Sequence, residues 1–205
     1  MNKDFIEKMI ELDNDQNYCA TSQCYDLIYS ITRGFQIKKV VEIGTFKGVS
    51  SIYFCQAILD NSYTPEIYTI DNNAIDIDFK LNRKQKASEN FKKFGYDKYI
   101  TEIIGDSKLV LKELFKKIGR VDICFLDGDH SHDAVMNDFV NSKDYTNIML
   151  LHDTLDGKTP LDDELEYLKI IQKCGWKLIT FPTKYINNNY DINNGYLGLS
   201  LIIKN

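Results

Sequence analysis

A single α/β domain built on a largely parallel sheet is what this sequence predicts, on three observations. From residue 39 onward, short apolar runs alternate with amphipathic stretches, the pattern of strands and the helices that cover them. Val121-Asp122-Ile123-Cys124-Phe125-Leu126 and Ile148-Met149-Leu150-Leu151 have the length and the β-branched or aromatic content of buried strands. Each is followed by histidine beside aspartate: Asp127-Gly128-Asp129-His130-Ser131-His132 after the first, His152-Asp153-Thr154 after the second. Polar clusters at the carboxyl ends of two such strands meet at the edge where open α/β sheets bind ligands, so the economical reading is one site. The plain alternative is that each Asp or Ser caps the helix that follows it.

Residues 1–34 predict two helices, about Lys3–Asp13 and Thr21–Arg33, separated by Asn14-Asp15-Gln16-Asn17. They are too short for a domain and are expected as a helical cap over the sheet edge or the mouth of the site, with residues 35–205 as the core of one domain spanning 1–205. The predicted strands are Lys39–Ile43, Glu66–Asp71, Tyr99–Ile104, Val121–Leu126, Ile148–His152, Lys177–Phe181 and Tyr196–Ile202. The predicted helices between them are Val49–Leu59, Leu81–Phe94, Ser107–Ile118, Ser131–Asn141 and Leu161–Cys174. No helix fits between the last two strands, so they should pair as an antiparallel hairpin whose long connection carries the turn signal Asn193-Asn194-Gly195. Asn187-Asn188-Asn189 reads as a plain flexible loop.

With 205 residues and 43% apolar content the chain can bury one sizeable core. A net charge of −5 argues against a surface that tracks nucleic-acid phosphates, and Lys84 to Lys93 reads as a solvated helix face. No signal-type segment or membrane-length run is present, and a cytoplasmic protein with no membrane partner is expected. The five cysteines are scattered without a Cys-x-x-Cys pair; Cys55 and Cys124 fall inside apolar segments as small core residues.

Val40-Val41-Glu42-Ile43-Gly44-Thr45-Phe46-Lys47-Gly48-Val49-Ser50-Ser51 reads as a strand, a tight turn and a helix start. Glycine lets backbone pass close to a ligand. The spacing is Gly-x-x-x-Gly rather than the Gly-x-Gly-x-x-Gly that seats a pyrophosphate, so a ligand without phosphates is expected and an NAD dehydrogenase is disfavoured. The next strand ends in Asp71, an acid placed to accept hydrogen bonds from ribose hydroxyls, and the third is followed by Asp106-Ser107, where an acid and a hydroxyl could meet the adenine amine.

In these residues the chain resembles the class I S-adenosylmethionine-dependent methyltransferases, and within them the small-molecule O-methyltransferases of sugar and antibiotic type, through Val-Glu-Ile-Gly-Thr-x-x-Gly-x-Ser, Asp-Gly-Asp-His and His-Asp-Thr, over residues 36–202. The resemblance implies a Rossmann-like sheet of order 3-2-1-4-5-7-6 with strand 7 antiparallel, cofactor over strands 1 to 3 and acceptor over strands 4 and 5. It places Glu42, Gly44, Thr45, Phe46, Gly48 and Ser50 near the methionine part of the cofactor, Asp71 and Asn72 at the ribose, and Asp106 and Ser107 at the adenine. Asp127 falls at the cofactor as well. Asp127, His152 and Asp153 match the positions of divalent-cation ligands, magnesium or manganese, in metal-dependent relatives, although several of those carry a carboxylate where this chain has His152. Imidazole suits manganese better than magnesium.

Transfer to a hydroxyl requires the acceptor to be held in line and its proton removed. A divalent metal would orient the hydroxyl and make it more acidic. His130, three residues after Asp127, is the candidate general base, with Asp127 as its catalytic companion; the alternative is a structural histidine bonded to a carbonyl. His132 reads as an exposed helix residue and Asp129 as a cap. A small-molecule or sugar acceptor is expected, and a homo-oligomer is left open. The first 34 residues and Thr183–Asn194 are expected to line the acceptor pocket, where Tyr18, Tyr185 and Tyr190 could stack on a sugar ring. Two rival functions remain. Asp127-Gly128-Asp129 is also an Asp-x-Asp, by which a glycosyltransferase holds a metal on a nucleotide sugar, and a catalytically silent methyltransferase-like binding module would keep the same turn.

Overall fold

In the computed structural model, residues 1, 3–16, 23–72, 87–154, 161–182 and 198–205 are described. In chain order the helices are α1 (Lys3–Gln16), α2 (Gln23–Gly34), α3 (Val49–Asp60), α4 (Ala87–Phe94), α5 (Ser107–Ile118), α6 (His132–Ser142) and α7 (Leu161–Lys173). The strands are β1 (Lys39–Ile43), β2 (Glu66–Asp71), β3 (Ile100–Ile104), β4 (Ile123–Leu126), β5 (Ile148–His152), β6 (Trp176–Phe181) and β7 (Leu199–Lys204). They form one sheet of order β3-β2-β1-β4-β5-β7-β6, parallel except for β7, which runs antiparallel to both β5 and β6. This is the sheet the resemblance implies. Tyr18, Tyr185, Tyr190, the Asn187–Asn189 loop, the Asn193–Gly195 turn and the helix start at Leu81 lie outside the described residues.

β1, β4 and β5 are apolar at nearly every position because both faces of a central parallel strand are covered. Val40, Ile67, Ile123, Phe125 and Leu150 face one side, packed with Phe5, Met9, Ile28, Phe54 and Phe91 from α1 to α4. Val41, Ile43, Ile70, Leu126 and Met149 face the other, against Leu111 and Phe115 of α5, Phe139 of α6 and Ile171 of α7. The N-terminal helices therefore lie on the α3 and α4 layer, with Phe5 edge-on to Tyr53 and Tyr25 stacked on it. Cys55 and Cys124 are fully buried. Among the described residues no helix is long and apolar enough to cross a membrane.

Most element ends lie within one to three residues of the sequence expectation, and the differences at α1, β3 and β4 are these. Helix α1 continues three residues beyond Asp13, to Gln16. Tyr99 precedes β3 in a turn, its N–H bonded to Tyr96 O at 2.9 Å. Val121 and Asp122 precede β4, because the Asp122 carboxylate accepts the Lys38 and Lys39 N–H groups at 2.8 and 2.9 Å and holds the chain there as a clamp.

One carboxylate sits inside the α3 face. Alternation along β1 turns Glu42 inward, and it is fully buried, accepting hydrogen bonds from the Ser50 and Ser51 hydroxyls at the start of α3. Burial pushes its carboxyl up to about 7 against the pull of hydrogen bonds from Ser50, Ser51 and Thr69. The folded protein thus binds this proton more tightly than the unfolded chain does. Its contribution is fully present below the ordinary value of 4.5 and is lost as pH rises through about 7. Urea unfolding across that range should show wild-type stability falling with pH by on the order of 3 kcal/mol relative to Glu42→Gln. Parallel pH curves for the two proteins would remove Glu42 as the titrating group.

Candidate active site

The sheet register brings the expected site residues to one level. Ile43 pairs with Ile70 and with Leu126, and Leu126 pairs with Leu151, so Gly44, Asp71, Asp127 and His152 follow side by side. The Gly44 N–H donates to Ile70 O at 2.8 Å and the Asp127 N–H to Ile43 O at 2.9 Å, which continues the ladder one residue into the turns. Gly44 has φ +98°, and a Cβ there would lie 1.9 Å from the Asp127 carbonyl oxygen. Gly48, at φ +75°, would place a Cβ 2.2 Å from the Phe91 ring of α4. Between them Phe46 holds the left-handed conformation at φ +46°, with its N–H bonded to Asp71 Oδ2 at 2.8 Å. A bulky residue in that region is strained, and the Asp71 contact helps hold it.

Above these ends lies a cavity of about 290 Å³. Gly44 and Phe46 line it from the β1 turn, Asp71 and Asn72 from β2, Gly105 to Lys108 from the β3–α5 junction, Asp127 to Asp129 from β4, and Ala134 and Asp138 from α6. It thus gathers Gly44, Phe46, Asp71, Asn72, Asp106, Ser107 and Asp127 among the residues singled out in the sequence. Glu42, Thr45, Gly48 and Ser50 lie behind that lining: Glu42 and Ser50 bond each other beneath it, Thr45 pairs with Thr69 at 2.6 Å, and Gly48 seats Phe91. Asp106 caps α5, its Oδ1 accepting the Lys108 N–H at 2.9 Å, whereas Asp129 accepts the N–H of Ser131 at 2.9 Å in the turn ahead of α6 and does not cap that helix. That backbone bond is the main reason the Asp129 carboxyl lies below its usual range.

Asp138 is a lining residue that sequence reading missed. It stands in the middle of α6 and is 4% exposed, accepting the Ser107 hydroxyl at 2.7 Å. Burial raises its carboxyl above the usual range in spite of that bond. Among the described residues, five aspartates and one cation, Lys108, therefore line the cavity. Such a concentration of negative charge favours cations and repels phosphates.

Beside Asp127 a second cluster forms. His152 Nδ1 is 3.0 Å from Asp127 Oδ1 and 3.0 Å from Asp153 Oδ1. These contacts are ionic rather than well-aimed hydrogen bonds, since Nδ1 and Asp153 Oδ1 are both buried without a hydrogen-bond partner. Burial is the largest single influence and opposes charge on the imidazole, but Asp127, Asp153 and Cys24 together outweigh it and raise the His152 pKa well above the usual value. Burial likewise works against charge on Asp153, and His152 reverses the effect and holds that carboxyl below its ordinary range. His130 Nε2 is 3.4 Å from Asp153 Oδ2 and 3.9 Å from Asp127 Oδ1. Asp153 takes the left-handed φ of +53°, another strained position at the site. The Phe125 ring meets His152 edge-on, and buried Cys24 of α2 lies beside the same imidazole, so α2 reaches this cluster. His132 is half-exposed and turned to Asp133. Among the described residues no group of three or more His, Cys, Asp and Glu side chains is arranged to hold a metal ion.

Solved structures with this fold include three O-methyltransferase structures. The O-methyltransferase from Bacillus cereus, in complex with SAH, superposes with a TM-score of 0.70 at 12% identity over 100% of this chain and 92% of its own. A putative caffeoyl-CoA O-methyltransferase from Staphylococcus aureus gives 0.67 at 17% identity over 98% and 100%. TomG from Streptomyces achromogenes, an O-methyltransferase involved in tomaymycin synthesis and solved with SAM, gives 0.65 at 16% identity over 88% and 78%. At these identities the likeness establishes the class I methyltransferase fold. No curated protein matches the chain. Residues 41–154, from β1 to the residue after Asp153, match the family model described as a methyltransferase domain, and the chain belongs to that methyltransferase family.

Proposed function

We propose that this protein transfers a methyl group from S-adenosylmethionine to a hydroxyl of a small molecule or sugar. The observation that carries this reading is the aspartate-lined cavity over the Gly44 turn, which suits a nucleoside bearing positive charge and opposes a diphosphate. The methyltransferase family and the O-methyltransferase neighbours, two of them solved with SAM or SAH, support it. The same charge pattern counts against a nucleotide-sugar transferase using Asp127-Gly128-Asp129.

When bound, the cofactor supplies an activated methyl group on a sulfonium. Gly44 lets backbone approach its amino-acid end beside Asp127. Asp71 is the acceptor for the ribose hydroxyls, and it also accepts the Phe46 N–H. Asn72 stands next to it, and Asp106 and Ser107 receive the adenine. Glu42, Thr45, Gly48 and Ser50 act through the turn as positioning residues. His130 is the general base: with Nε2 turned toward Asp153, Nδ1 takes the acceptor's proton. The acceptor oxygen gains the methyl carbon as the carbon–sulfur bond breaks, leaving a neutral thioether and an imidazolium steadied by Asp153 and Asp127.

A divalent cation, magnesium or manganese, held by Asp127 and Asp153 with His152 as third donor, is a second reading. Two buried atoms without hydrogen-bond partners, His152 Nδ1 and Asp153 Oδ1, favour it. As the side chains stand they do not fit a cation, because His152 already lies between the two carboxylates. No step above passes through a metal.

Three outcomes test these assignments. Calorimetry with S-adenosylhomocysteine should find binding weakened in Asp71→Ala by on the order of 1.5–3 kcal/mol and abolished in Gly44→Val; affinities equal to wild type would sink the cofactor site. His130→Ala should lower turnover by about 10²–10⁴ with cofactor affinity nearly unchanged, while His132→Ala does little. Wild-type turnover in His130→Ala would move the base elsewhere. Manganese titration followed by electron paramagnetic resonance should find no stoichiometric site, and a tight site lost in Asp127→Asn and Asp153→Asn would establish the second reading instead.

A further inference from the structure

The turn between β1 and α3 is held from two sides. On the β2 side, Asp71 Oδ2 accepts the Phe46 N–H at 2.8 Å. On the other stands α4, whose buried residues Ala87, Asn90, Phe91 and Phe94 recur at helical spacing and form one inward stripe. Phe91 fills the space that a Cβ on Gly48 would need, and Asn90 Nδ2 donates to the Lys47 carbonyl at 2.9 Å. The helix is itself well seated, with Phe94 edge-on to Phe5 of α1 and Lys93 paired with Glu11 at 3.2 Å. Asn90 is the polar member of the stripe. It is fully buried, and among the described residues its Oδ1 has no hydrogen-bond partner. An apolar side chain at this position would spare the core an unpaired acceptor, so stability does not account for the asparagine. Its donor does. Gly44, Phe46 and Gly48 all hold positive φ, and a turn strained in this way keeps its shape only when its surroundings fix it.

We propose that Asn90 is a positioning residue for the cofactor: by holding the Lys47 carbonyl it fixes the strained Phe46–Gly48 turn in the shape that receives S-adenosylmethionine. The inference rests on the cofactor reading above and extends that site to α4, none of whose described residues lines the cavity. Asn90 touches no ligand and moves no proton. What it supplies is preorganisation, because a turn already in its bound shape loses none of the binding free energy to ordering. A turn released to sample other shapes binds in proportion to the fraction that is competent.

Calorimetry with S-adenosylhomocysteine and urea unfolding, run on the same full-length proteins, separate this role from a structural one. Asn90→Leu, close in size and free of the unpaired acceptor, should bind about tenfold more weakly while its unfolding midpoint equals or exceeds that of wild type. Asn90→Ala should weaken binding to a similar degree. Ile171→Val, in the α7 core on the opposite face of the sheet, should lower the midpoint and leave affinity unchanged. Wild-type affinity in both Asn90 variants would overturn the positioning role while the cofactor site stands. So would an affinity loss that Ile171→Val reproduces, because binding would then simply follow stability. If wild type itself does not bind the probe, the cofactor reading falls and the role of Asn90 with it. Should Asn90→Leu fail to fold by circular dichroism, the comparison of Asn90→Ala with Ile171→Val decides.

Discussion

The backbones of Gly44 and Asp127 meet so closely that a Cβ on residue 44 would lie 1.9 Å from the Asp127 carbonyl oxygen. The Asp127 N–H holds Ile43 O, and the Gly44 N–H holds Ile70 O, so three adjacent parallel strands are locked at the level where their turns begin. Only glycine permits this approach at φ +98°. Its consequence is that Asp127 serves two places at once. It lines the cavity over β1 to β4 and also holds His152 at 3.0 Å. The aspartate-lined cavity and the His152–Asp153 cluster therefore share one residue, and a shift in the Gly44 turn is felt by both.

Charge decides what this arrangement can hold. Among the described residues five aspartates line the cavity against Lys108, and Glu42 lies buried beneath the same turn, close enough to Asp127 that the two charges oppose each other. Folding such a cluster costs electrostatic free energy, and the backbone N–H bonds accepted by Asp106 and Asp129 and the serine bonds of Glu42 offset part of it. What remains is a negative field aimed at a ligand. A sulfonium or ammonium group relieves it; a pyrophosphate, whose usual seat is a glycine-rich helix start with free N–H groups, would intensify it.

Much of this was legible in the sequence, for identifiable reasons. Central strands buried on both faces read as apolar runs, so β4 and β5 stood out, and the polar residues that end those runs had to collect at one sheet edge. Other features depend on long-range contact and left no local mark. Asp122 looked like part of a strand because its role as a clamp on Lys38 and Lys39 spans more than eighty residues. Glu42 and Ser50 looked like ligand contacts, and the structure places them beneath the turn, bonded to each other. Asp138 drew no reading from the sequence, because nothing local in the Ser131–Asn141 helix links it to Ser107. The contact of Cys24 with His152 likewise arises only when α2 folds over the sheet end.

Equilibrium binding of S-adenosylmethionine and of a nucleoside-diphosphate sugar to the same wild-type protein, measured side by side in low salt where cavity charge acts most strongly, tests the electrostatic claim most directly. An aspartate-lined nucleoside site predicts saturable one-site binding of the sulfonium compound and no binding of the diphosphate. Tighter binding of the nucleotide sugar, with S-adenosylmethionine failing to compete, would contradict it.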